Sequence, residues 1–245
     1  MKTTRSKYFI DEDYTSDRKV LHTQIIDGLF NDSQNSQEPP QAILLGGGSA
    51  SGKSTLTKLW IKAYEKNLIP LICIDCDDIK TLIPEYEDIK RYNLETAAFY
   101  VHDESSDIGD FLLEKCVQER KNFIYDGTMK NLIKYKKLIE LLHEHAYNIM
   151  ATVVDVPIET ALERNQVRFM ETGRKVPEEI LVKSHKEVPK TFDVIKEMVH
   201  EYVLYDTSET VPNPITEKTE DGNVTIYNEK RLEQFYSKSK LELNT

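Results

Sequence analysis

The sequence predicts an α/β fold in three layers, with helices covering both faces of a parallel central sheet. Five short apolar segments alternate with segments of helical periodicity along the middle of the chain. Strands that are apolar throughout and separated by helices are typical of a buried parallel sheet. A glycine-rich loop follows the first of these strands, and acidic residues follow the next three, at the strand ends where such sheets bind ligands.

Residues 1–40 are predicted to form an N-terminal helical extension. Residues 1–14 are polar, and we expect them to be loosely held. Apolar residues then recur with helical spacing between residues 15 and 30, for example at Val20, Ile26 and Leu29. Residues 31–40 are rich in Asn, Ser, Gln and Pro, which predicts a linker.

The main domain is predicted over residues 41–206. The apolar segments predict strands at residues 42–45, 69–74, 122–125, 149–156 and 202–205. Helical periodicity predicts helices at residues 56–66, 108–116, 132–142, 158–170 and 177–200. We expect right-handed crossover connections between the strands.

Residues 207–245 are predicted to form a hairpin and a helix packed on the same domain. Two alternating segments within residues 213–228 flank Asp221-Gly222-Asn223, which is a hairpin-turn sequence. Leu232, Phe235 and Tyr236 then indicate a closing C-terminal helix.

Charge and composition exclude several classes of function. The formal net charge is −10 at pH 7, and an acidic surface repels phosphate backbones, so we expect no nucleic-acid partner. The pair Cys73 and Cys76 has no second cysteine pair to complete a zinc site, and we interpret it and Cys116 as ordinary thiols. No apolar run reaches the roughly 18 residues that a membrane span needs, so we expect a cytoplasmic protein without a membrane partner.

The glycine-rich loop carries the strongest functional signal. It satisfies the pattern G-x-x-x-x-G-K-[ST] between a strand and a helix, the context that a phosphate-binding P-loop requires. In such a loop backbone N–H groups wrap the β-phosphate, Lys53 reaches the β- and γ-phosphates, and the Ser54 hydroxyl is placed to bind Mg²⁺. We therefore predict a P-loop NTPase or kinase-like fold with ATP and Mg²⁺ as cofactors. The predicted ATP-binding residues are Gly47, Gly48, Ser49, Ala50, Ser51, Gly52, Lys53, Ser54 and Thr55.

Aspartates at the strand ends are candidates for handling an acceptor hydroxyl. Asp75, Asp77 and Asp78 follow the second strand, and Asp126 ends the third. Phosphoryl transfer to an alcohol needs one carboxylate to orient or deprotonate the hydroxyl, and Asp77 or Asp126 could serve. Gly127 beside Asp126 is expected to let a substrate approach the backbone. Asp155 precedes a helix start, and we interpret it as a helix cap.

Arginines after the fourth strand predict a lid over the nucleotide. Arg164 and Arg168 are one helical turn apart, and Arg174 follows in the loop of residues 171–177. Arginines on a closing segment stabilise the negative charge of a phosphoryl transition state. The alternative is an ordinary solvated face of a helix.

Together these motifs resemble the zeta-toxin family of P-loop kinases, the toxins of bacterial toxin–antitoxin systems. The resemblance covers about residues 41–205 and depends on the order of its motifs. Those motifs are the phosphate loop, Ile74-Asp75-Cys76-Asp77-Asp78-Ile79-Lys80 with Pro84-Glu85-Tyr86, Asp126-Gly127-Thr128, Leu162-Glu163-Arg164 and Gly173-Arg174-Lys175-Val176-Pro177.

The resemblance implies an activity like that of UDP-N-acetylglucosamine kinases. The acceptor would be the sugar 3′-hydroxyl of a UDP-N-acetylhexosamine, and an antitoxin protein would be a candidate partner. In this interpretation Asp77 faces the hydroxyl, and Arg164 and Arg174 lie on the ATP phosphates, so that these three and Lys53 are the catalytic residues. The predicted substrate contacts are Asp77, Glu104, Ser105, Asp126 and Thr128.

The chain departs from the family's pattern in several places. The family's toxins carry Glu where Asp126 stands, and His where this chain has Ile83. Residues 15–30, 102–106 and those after 205 also differ. A kinase for another metabolite, an antibiotic or a nucleoside therefore remains an alternative, as does an ATP-binding regulatory switch. A switch needs a residue that positions water, whereas the carboxylates and arginines here favour transfer to an alcohol.

Overall fold

The N-terminal extension is folded onto the rest of the molecule. In this computed structural model, which describes residues 2–30, 38–172 and 176–240, the extension contains a helix, α1 (Thr4–Tyr8), and a small hairpin, β1 (Phe9–Ile10) with β2 (Asp13–Tyr14). A longer helix, α2 (Ser16–Leu29), follows. The expectation that residues 1–14 are loosely held is wrong, because Thr4 and Tyr14 are buried and the Thr4 hydroxyl donates to the Tyr100 carbonyl.

A seven-stranded sheet forms the centre of the molecule. Its strands lie in the spatial order β4-β5-β3-β6-β7-β8-β9. The first five are parallel to one another, β8 pairs antiparallel with β7, and β9 pairs antiparallel with β8. The predicted parallel sheet is confirmed, and the predicted hairpin extends the same sheet at one edge. The strands are β3 (Gln41–Gly47), β4 (Ile72–Asp75), β5 (Phe123–Asp126), β6 (Asn148–Asp155), β7 (Glu201–Asp206), β8 (Asn213–Lys218) and β9 (Val224–Ile226).

Nine further helices of the described residues flank the sheet or connect its strands. The helices are α3 (Lys53–Lys66), α4 (Cys76–Leu82), α5 (Pro84–Lys90), α6 (Leu94–Tyr100), α7 (His102–Gln118), α8 (Leu132–Glu144), α9 (Ile158–Thr172), α10 (Glu178–Ile195) and α11 (Glu229–Ser237), which runs into a 3-10 turn (Lys238–Lys240). The sequence did not predict α4, α5 or α6, because helices of seven residues are too short to show a periodic pattern. Their starts are marked instead by Asp75, Pro84 and Asn93.

The central strand β3 buries both of its faces, as a strand in a three-layer fold must. Ala42 and Leu44 pack in the larger core cluster with residues of α7, α8 and α10. Ile43 and Leu45 point the other way and pack with Leu56 of α3. Period-two alternation of side chains sends neighbouring residues to opposite faces, so an apolar run is what this position requires.

The extension has a core cluster of its own with the helices that follow β4. Ile25 of α2 packs with Ile79, Tyr86, Val101 and Ile108, residues of α4, α5 and the α6–α7 region. The helix α2 therefore covers the side of the molecule on which β4 lies. Across the described residues, no helix combines the length and the apolar character that a membrane crossing would need.

Candidate active site

The phosphate loop joins the end of β3 to the start of α3. Three of its residues, Gly47, Ala50 and Gly52, have positive φ, which bends the chain sharply enough to turn its N–H groups inward. A Cβ at Gly47 would lie 2.5 Å from Cγ2 of Val154 on the neighbouring strand. Glycine is therefore needed at Gly47 for both its backbone angle and its space.

Lys53 folds back over this loop. Its Nζ donates to the Gly47 carbonyl at 3.1 Å. Burial lowers the pKa of the Lys53 ammonium, while the nearby carboxylates of Asp126, Asp77 and Asp75 act in the opposite direction. These causes place the lysine and the three aspartates in one electrostatic environment, as the sequence predicted for residues at adjoining strand ends.

Asp75 and Asp126 lie side by side at the ends of β4 and β5. They are partners in the parallel register. Burial, and then the charge of Asp126, raises the pKa of Asp75 to about 6. Burial also raises the pKa of Asp126, whereas Lys53 acts to lower it. Two half-buried carboxylates close to one lysine leave the site rich in negative charge, and a bound cation would relieve that repulsion.

The first turn of α3 presents hydroxyl groups beside these carboxylates. Ser54 and Thr55 are exposed at the start of the helix. One turn later, the Thr57 hydroxyl donates to Asp126 Oδ2 at 3.0 Å. Among the described residues no group of three or more His, Cys, Asp or Glu side chains could hold a metal ion by itself. Hydroxyl and carboxylate oxygens suit Mg²⁺, which in such sites takes its other ligands from phosphates and water.

Asp77 stands in the first turn of α4, directly beyond the end of β4. Asp75 caps this helix by accepting from the Asp77 N–H at 2.7 Å. The Asp77 side chain is 46% exposed, and Lys80 Nζ lies 2.7 Å from its Oδ1. The capping role therefore belongs to Asp75, and it leaves the Asp77 carboxylate open to solvent near Lys53.

Thr128 meets the phosphate loop through its backbone. Its carbonyl accepts from the Gly47 N–H at 3.3 Å. Next to it, a Cβ at Gly127 would collide with the Tyr135 hydroxyl, which donates to the Leu45 carbonyl at 3.1 Å. The expectation that Gly127 leaves room for a substrate is therefore wrong, because a tyrosine fills that space.

Glu104 and Ser105 are not brought to this group of residues. Glu104 is fully buried, and its carboxylate accepts from Arg18 Nε at 2.5 Å and lies 2.7 Å from His22 Nε2. Ser105 is also fully buried, and its hydroxyl donates to the His102 carbonyl at 2.8 Å. Both side chains are occupied by contacts within the protein, in contrast to the exposed carboxylate of Asp77.

Arg164 lies on one side of the phosphate loop, and the strands β4 and β5 that end in Asp75 and Asp126 lie on the other. Its guanidinium donates to the Thr207 carbonyl at 2.6 Å and lies 3.5 Å from where a Cβ of Gly52 would be. Arg168, one turn along, acts on the pKa of Lys53 and is therefore near it. Arg174 lies outside the described residues. A pocket of about 330 Å³ beside the loop is lined by Gly52, Thr55, Arg164, Thr207, Glu209, Thr210 and Pro212.

Asp155 has a different role from the one the sequence predicted. It is buried, and Lys238 Nζ lies 2.5 Å from its Oδ1, with Arg231 Nη2 3.6 Å from its Oδ2. Asp155 therefore holds the C-terminal helix to the end of β6. Its partner is 83 residues away, so the local pattern of a carboxylate before a helix pointed to a cap instead.

Several residues that support the loop carry no sequence signal. The Thr207 hydroxyl donates to the Ser51 carbonyl, and Ser184 and His185 of α10 hydrogen-bond the backbone of Ser49. These partners are more than 130 residues away from the loop. The periodicity of a sequence reflects neighbours along the chain and carries no information about such distant contacts.

Comparison with known proteins decides the family. The sequence profile described as Zeta toxin matches residues 26–231, most of the chain. The chain belongs to the zeta toxin family. This family member is similar to the toxin PezT of Streptococcus pneumoniae serotype 4 (strain ATCC BAA-334 / TIGR4), with 26% identity over 161 residues, or 65% of this chain. The chain spans 62% of the length of PezT.

Solved structures agree on the fold of this zeta toxin family member. A structure of the PezAT chromosomal toxin–antitoxin system of Streptococcus pneumoniae has a TM-score of 0.72 at 18% identity, covering 91% of this chain and 88% of the other. The complex of AvrRxo1-ORF1 and AvrRxo1-ORF2 with ATP has a TM-score of 0.76 at 17% identity, covering 100% of this chain and 84% of the other. At these identities the likeness supports the P-loop kinase fold.

Proposed function

We propose that this zeta toxin family member is an ATP-dependent kinase that phosphorylates the sugar 3′-hydroxyl of a UDP-N-acetylhexosamine. The observation that carries the proposal is the meeting of a phosphate-loop lysine, Lys53, with the strand-end carboxylates of Asp75, Asp77 and Asp126. A phosphate donor and an acceptor carboxylate at one sheet edge are what phosphoryl transfer to an alcohol requires. The kind of acceptor is inferred from the family resemblance.

The donor side is the phosphate loop and the start of α3. Backbone N–H groups of the loop and the positive end of α3 would bind the β-phosphate, and Lys53 would reach the γ-phosphate. Ser54, with Asp75 and Asp126 close by, would hold Mg²⁺. Bound there, Mg²⁺ would neutralise charge on the phosphate oxygens. The pocket lined by Gly52, Thr55, Arg164 and Thr207 adjoins the loop, and in this proposal it takes the nucleoside.

The acceptor side is the end of β4 and the start of α4. In this proposal Asp77 orients the sugar hydroxyl and accepts its proton as the oxygen attacks the γ-phosphorus. Lys80 at 2.7 Å holds the Asp77 side chain in place. Arg164 is the side chain that adds positive charge as negative charge spreads over the transferred group. Asp126 is the competing candidate for the role of Asp77.

Turnover measurements with a panel of acceptors test this proposal. The chain is incubated with ATP and Mg²⁺, alone and with UDP-N-acetylglucosamine, UDP-N-acetylgalactosamine, UDP-glucose and a set of nucleosides. We expect ADP release that depends on a UDP-N-acetylhexosamine, and none from the Lys53→Ala variant. Equal turnover with and without every acceptor would indicate a nucleotide switch, whereas turnover with nucleosides alone would overturn the proposed acceptor.

We further propose an antitoxin protein as a partner. The support is the family itself, the similarity to the toxin PezT and the similarity to a structure of the PezAT toxin–antitoxin system. Growth of cells that express the chain tests this idea. We expect wild-type expression to arrest growth and Lys53→Ala expression to be harmless, and a neighbouring reading frame that restores growth would be the antitoxin. Normal growth of cells that express an active kinase would contradict it.

A further inference from the structure

Two buried side chains of α10 form hydrogen bonds with the backbone of Ser49 in the phosphate loop. The Ser49 N–H donates to Ser184 Oγ at 2.9 Å, and the Ser184 hydroxyl donates onward to the Leu181 carbonyl at 2.6 Å. On the other side of the same residue, His185 Nε2 lies 2.9 Å from the Ser49 carbonyl oxygen. Ser184 and His185 are each 2% exposed, whereas Ser49 is half-buried, so the side-chain partners of both bonds are shielded from water.

The chemistry of the pair determines the state of the imidazole. A carbonyl oxygen only accepts, so Nε2 of His185 carries a hydrogen and donates it. Burial lowers the pKa of His185 to about 4, so the ring is neutral at physiological pH. The ring therefore donates a hydrogen bond to the loop and packs against it, but it carries no positive charge that could attract a phosphate.

The same ring explains a glycine of the loop. Gly48 has a φ outside the left-handed region, so its backbone angle could be adopted by alanine. A Cβ at Gly48, however, would lie 2.5 Å from both Cγ and Nε2 of His185. The glycine at this position makes room for the histidine of α10. Gly47 and Gly52 differ from it because both have positive φ.

The segment that leads into α10 is also hydrogen-bonded to α9, the helix that carries Arg164 and Arg168. The Asn165 side chain of α9 bonds both backbone groups of Val176, accepting from its N–H at 3.0 Å and donating to its carbonyl at 2.8 Å. Val176 lies two residues before the start of α10 at Glu178. Hydrogen bonds therefore connect α10 and the residues just before it both to α9, which bears Arg164, and to the phosphate loop, which bears Lys53.

We propose that Ser184 and His185 are positioning residues that hold Gly48 and Ser49 in the shape that binds the nucleotide phosphates. The proposal rests on the proposed nucleotide site and adds to it two residues that touch neither ATP nor the acceptor. Without the His185 bond the carbonyl of the half-buried Ser49 would lose its donor, and the loop would relax towards shapes in which that carbonyl binds water. Such shapes would bind phosphate less well, because the N–H groups no longer converge.

Nucleotide binding by the full chain tests the role of His185. A fluorescent, non-hydrolysable ATP analogue with Mg²⁺ is titrated well below the melting temperature of each variant. We expect His185→Leu to weaken binding about tenfold, the effect of about 1.4 kcal/mol. His185→Gln, whose amide nitrogen can replace Nε2, should stay within about threefold of wild type. The matched control is His143→Leu, since His143 Nε2 also bonds a carbonyl, that of Met198, away from the loop.

A double-mutant cycle keeps the test decisive even if His185→Leu folds poorly. Gly48→Ala alone should lose analogue binding because of the collision with the ring. Combining it with His185→Ala should recover much of that loss, so that the two effects are far from additive. Ser184→Ala, which leaves the Ser49 N–H without its acceptor, should weaken binding severalfold.

The outcomes separate this inference from the proposed function. If the wild type and His185→Leu bind the analogue equally while only the melting temperature falls, His185 is merely structural and the inference is overturned. Additive effects of Gly48→Ala and His185→Ala would overturn it as well. If the wild type does not bind the analogue at all, the proposed kinase function fails first, and the inference fails with it.

Discussion

At the scale of single residues, the three acidic groups near Lys53 are chemically distinct. Asp75 is committed to capping α4, and Asp126 accepts from the Thr57 hydroxyl. Asp77 is the most open of the three to a molecule arriving from solvent, with Lys80 as its ion-pair partner. Environment, more than residue type, therefore assigns them different tasks.

The first prediction concerns which aspartate serves the acceptor hydroxyl. Asp77→Asn should reduce phosphoryl transfer by about 10²–10⁴-fold, the usual range for a positioned acid–base group. Binding of ATP and Mg²⁺ should persist, because Lys53 and Ser54 are untouched. Parallel steady-state assays of Asp77→Asn and Asp126→Asn provide the measurement. An active Asp77→Asn beside an inactive Asp126→Asn would move the base to β5.

The second prediction follows from the raised pKa of Asp75. In the folded protein this pKa is about 6 against an ordinary 3.8, so folding favours the protonated form. The stability that results is fully present below pH 3.8 and is lost as the pH rises through 6. Asp75→Asn removes the charge and keeps an oxygen that can cap α4. We expect it to raise the melting temperature at pH 7.5 by about 2–4 °C, as about 1 kcal/mol does in a chain of this size.

Melting curves of the ligand-free protein from pH 4 to 7.5 provide this measurement. The exposed neighbour Asp78 supplies the control, since Asp78→Asn changes the same charge outside the buried pair. A wild type and an Asp75→Asn variant that lose stability in parallel between pH 4 and 6 would show that Asp75 is not the titrating group.

The third prediction is about Arg164. Its guanidinium donates to the Thr207 carbonyl and lies close to Gly52 of the phosphate loop. Arg164→Ala should lower kcat by about 10²-fold while changing the affinity for ATP much less, because its charge matters most in the transition state. Steady-state kinetics with analogue binding separate the two effects. If kcat is unchanged, Arg164 belongs to a solvated helix face.

At the scale of elements, the N-terminal extension is joined to the domain by a buried ionic cluster. Arg18 of α2 reaches Glu85 of α5 at 2.9 Å and Glu104 of α7 at 2.5 Å. Burial alone would raise the pKa of Glu104, but hydrogen bonds from Arg18 and His22 lower it to about 2. Removing one member of such a cluster leaves an uncompensated buried charge.

The fourth prediction tests this cluster. Arg18→Met should lower the free energy of unfolding by about 3 kcal/mol, since it strands the Glu104 carboxylate without its main partner. The double variant Arg18→Met with Glu104→Gln should recover part of that loss, because the stranded charge is gone. Chemical denaturation measures both. The control Lys19→Met removes a cation from the same helix whose partner, Asp13, is exposed. A loss no larger than that of the control would contradict the prediction.

Elements set by local sequence pattern were predicted correctly, whereas contacts between distant residues were not. The strands of the sheet, the phosphate loop and the meeting of its lysine with strand-end aspartates could be predicted, because each depends on local pattern and on the geometry of parallel sheets. The burial of Glu104 could not, because its partner Arg18 is 86 residues away. The contacts of Asp155, Ser184 and His185 could not be predicted for the same reason, because their partners are also distant along the chain.

At the scale of the whole molecule, ion pairs attach the C-terminal segment to the edge of the sheet that carries the candidate active site. Lys238 Nζ lies 2.5 Å from Oδ1 of Asp155, at the end of β6, and also donates to the Val156 carbonyl. Arg231 of α11 adds an ion pair at 2.7 Å with Asp206, at the end of β7. These contacts join the last described helix to the carboxyl ends of β6 and β7, on the same edge of the sheet as the ends of β3, β4 and β5.

The fifth prediction is that this fastening belongs to the cooperative fold. Lys238→Met should lower the melting temperature by several degrees, because the buried Asp155 loses its nearest cation. The unfolding transition should remain single by both fluorescence and circular dichroism. A separate low-temperature transition would show that residues after 206 unfold by themselves. Lys240→Met serves as the control because Lys240 is exposed and lies outside this ion pair.

The long separations around Ser49 also bear on the order of events during protein synthesis. The loop at residues 47–55 leaves the ribosome before the side chains that hydrogen-bond its backbone, which belong to residues 184, 185 and 207. A nascent chain that has emerged only as far as residue 180 carries the nucleotide-binding motif without the contacts that shape it. The contacts that shape this loop are thus complete only once Thr207 has emerged, 156 residues after Ser51.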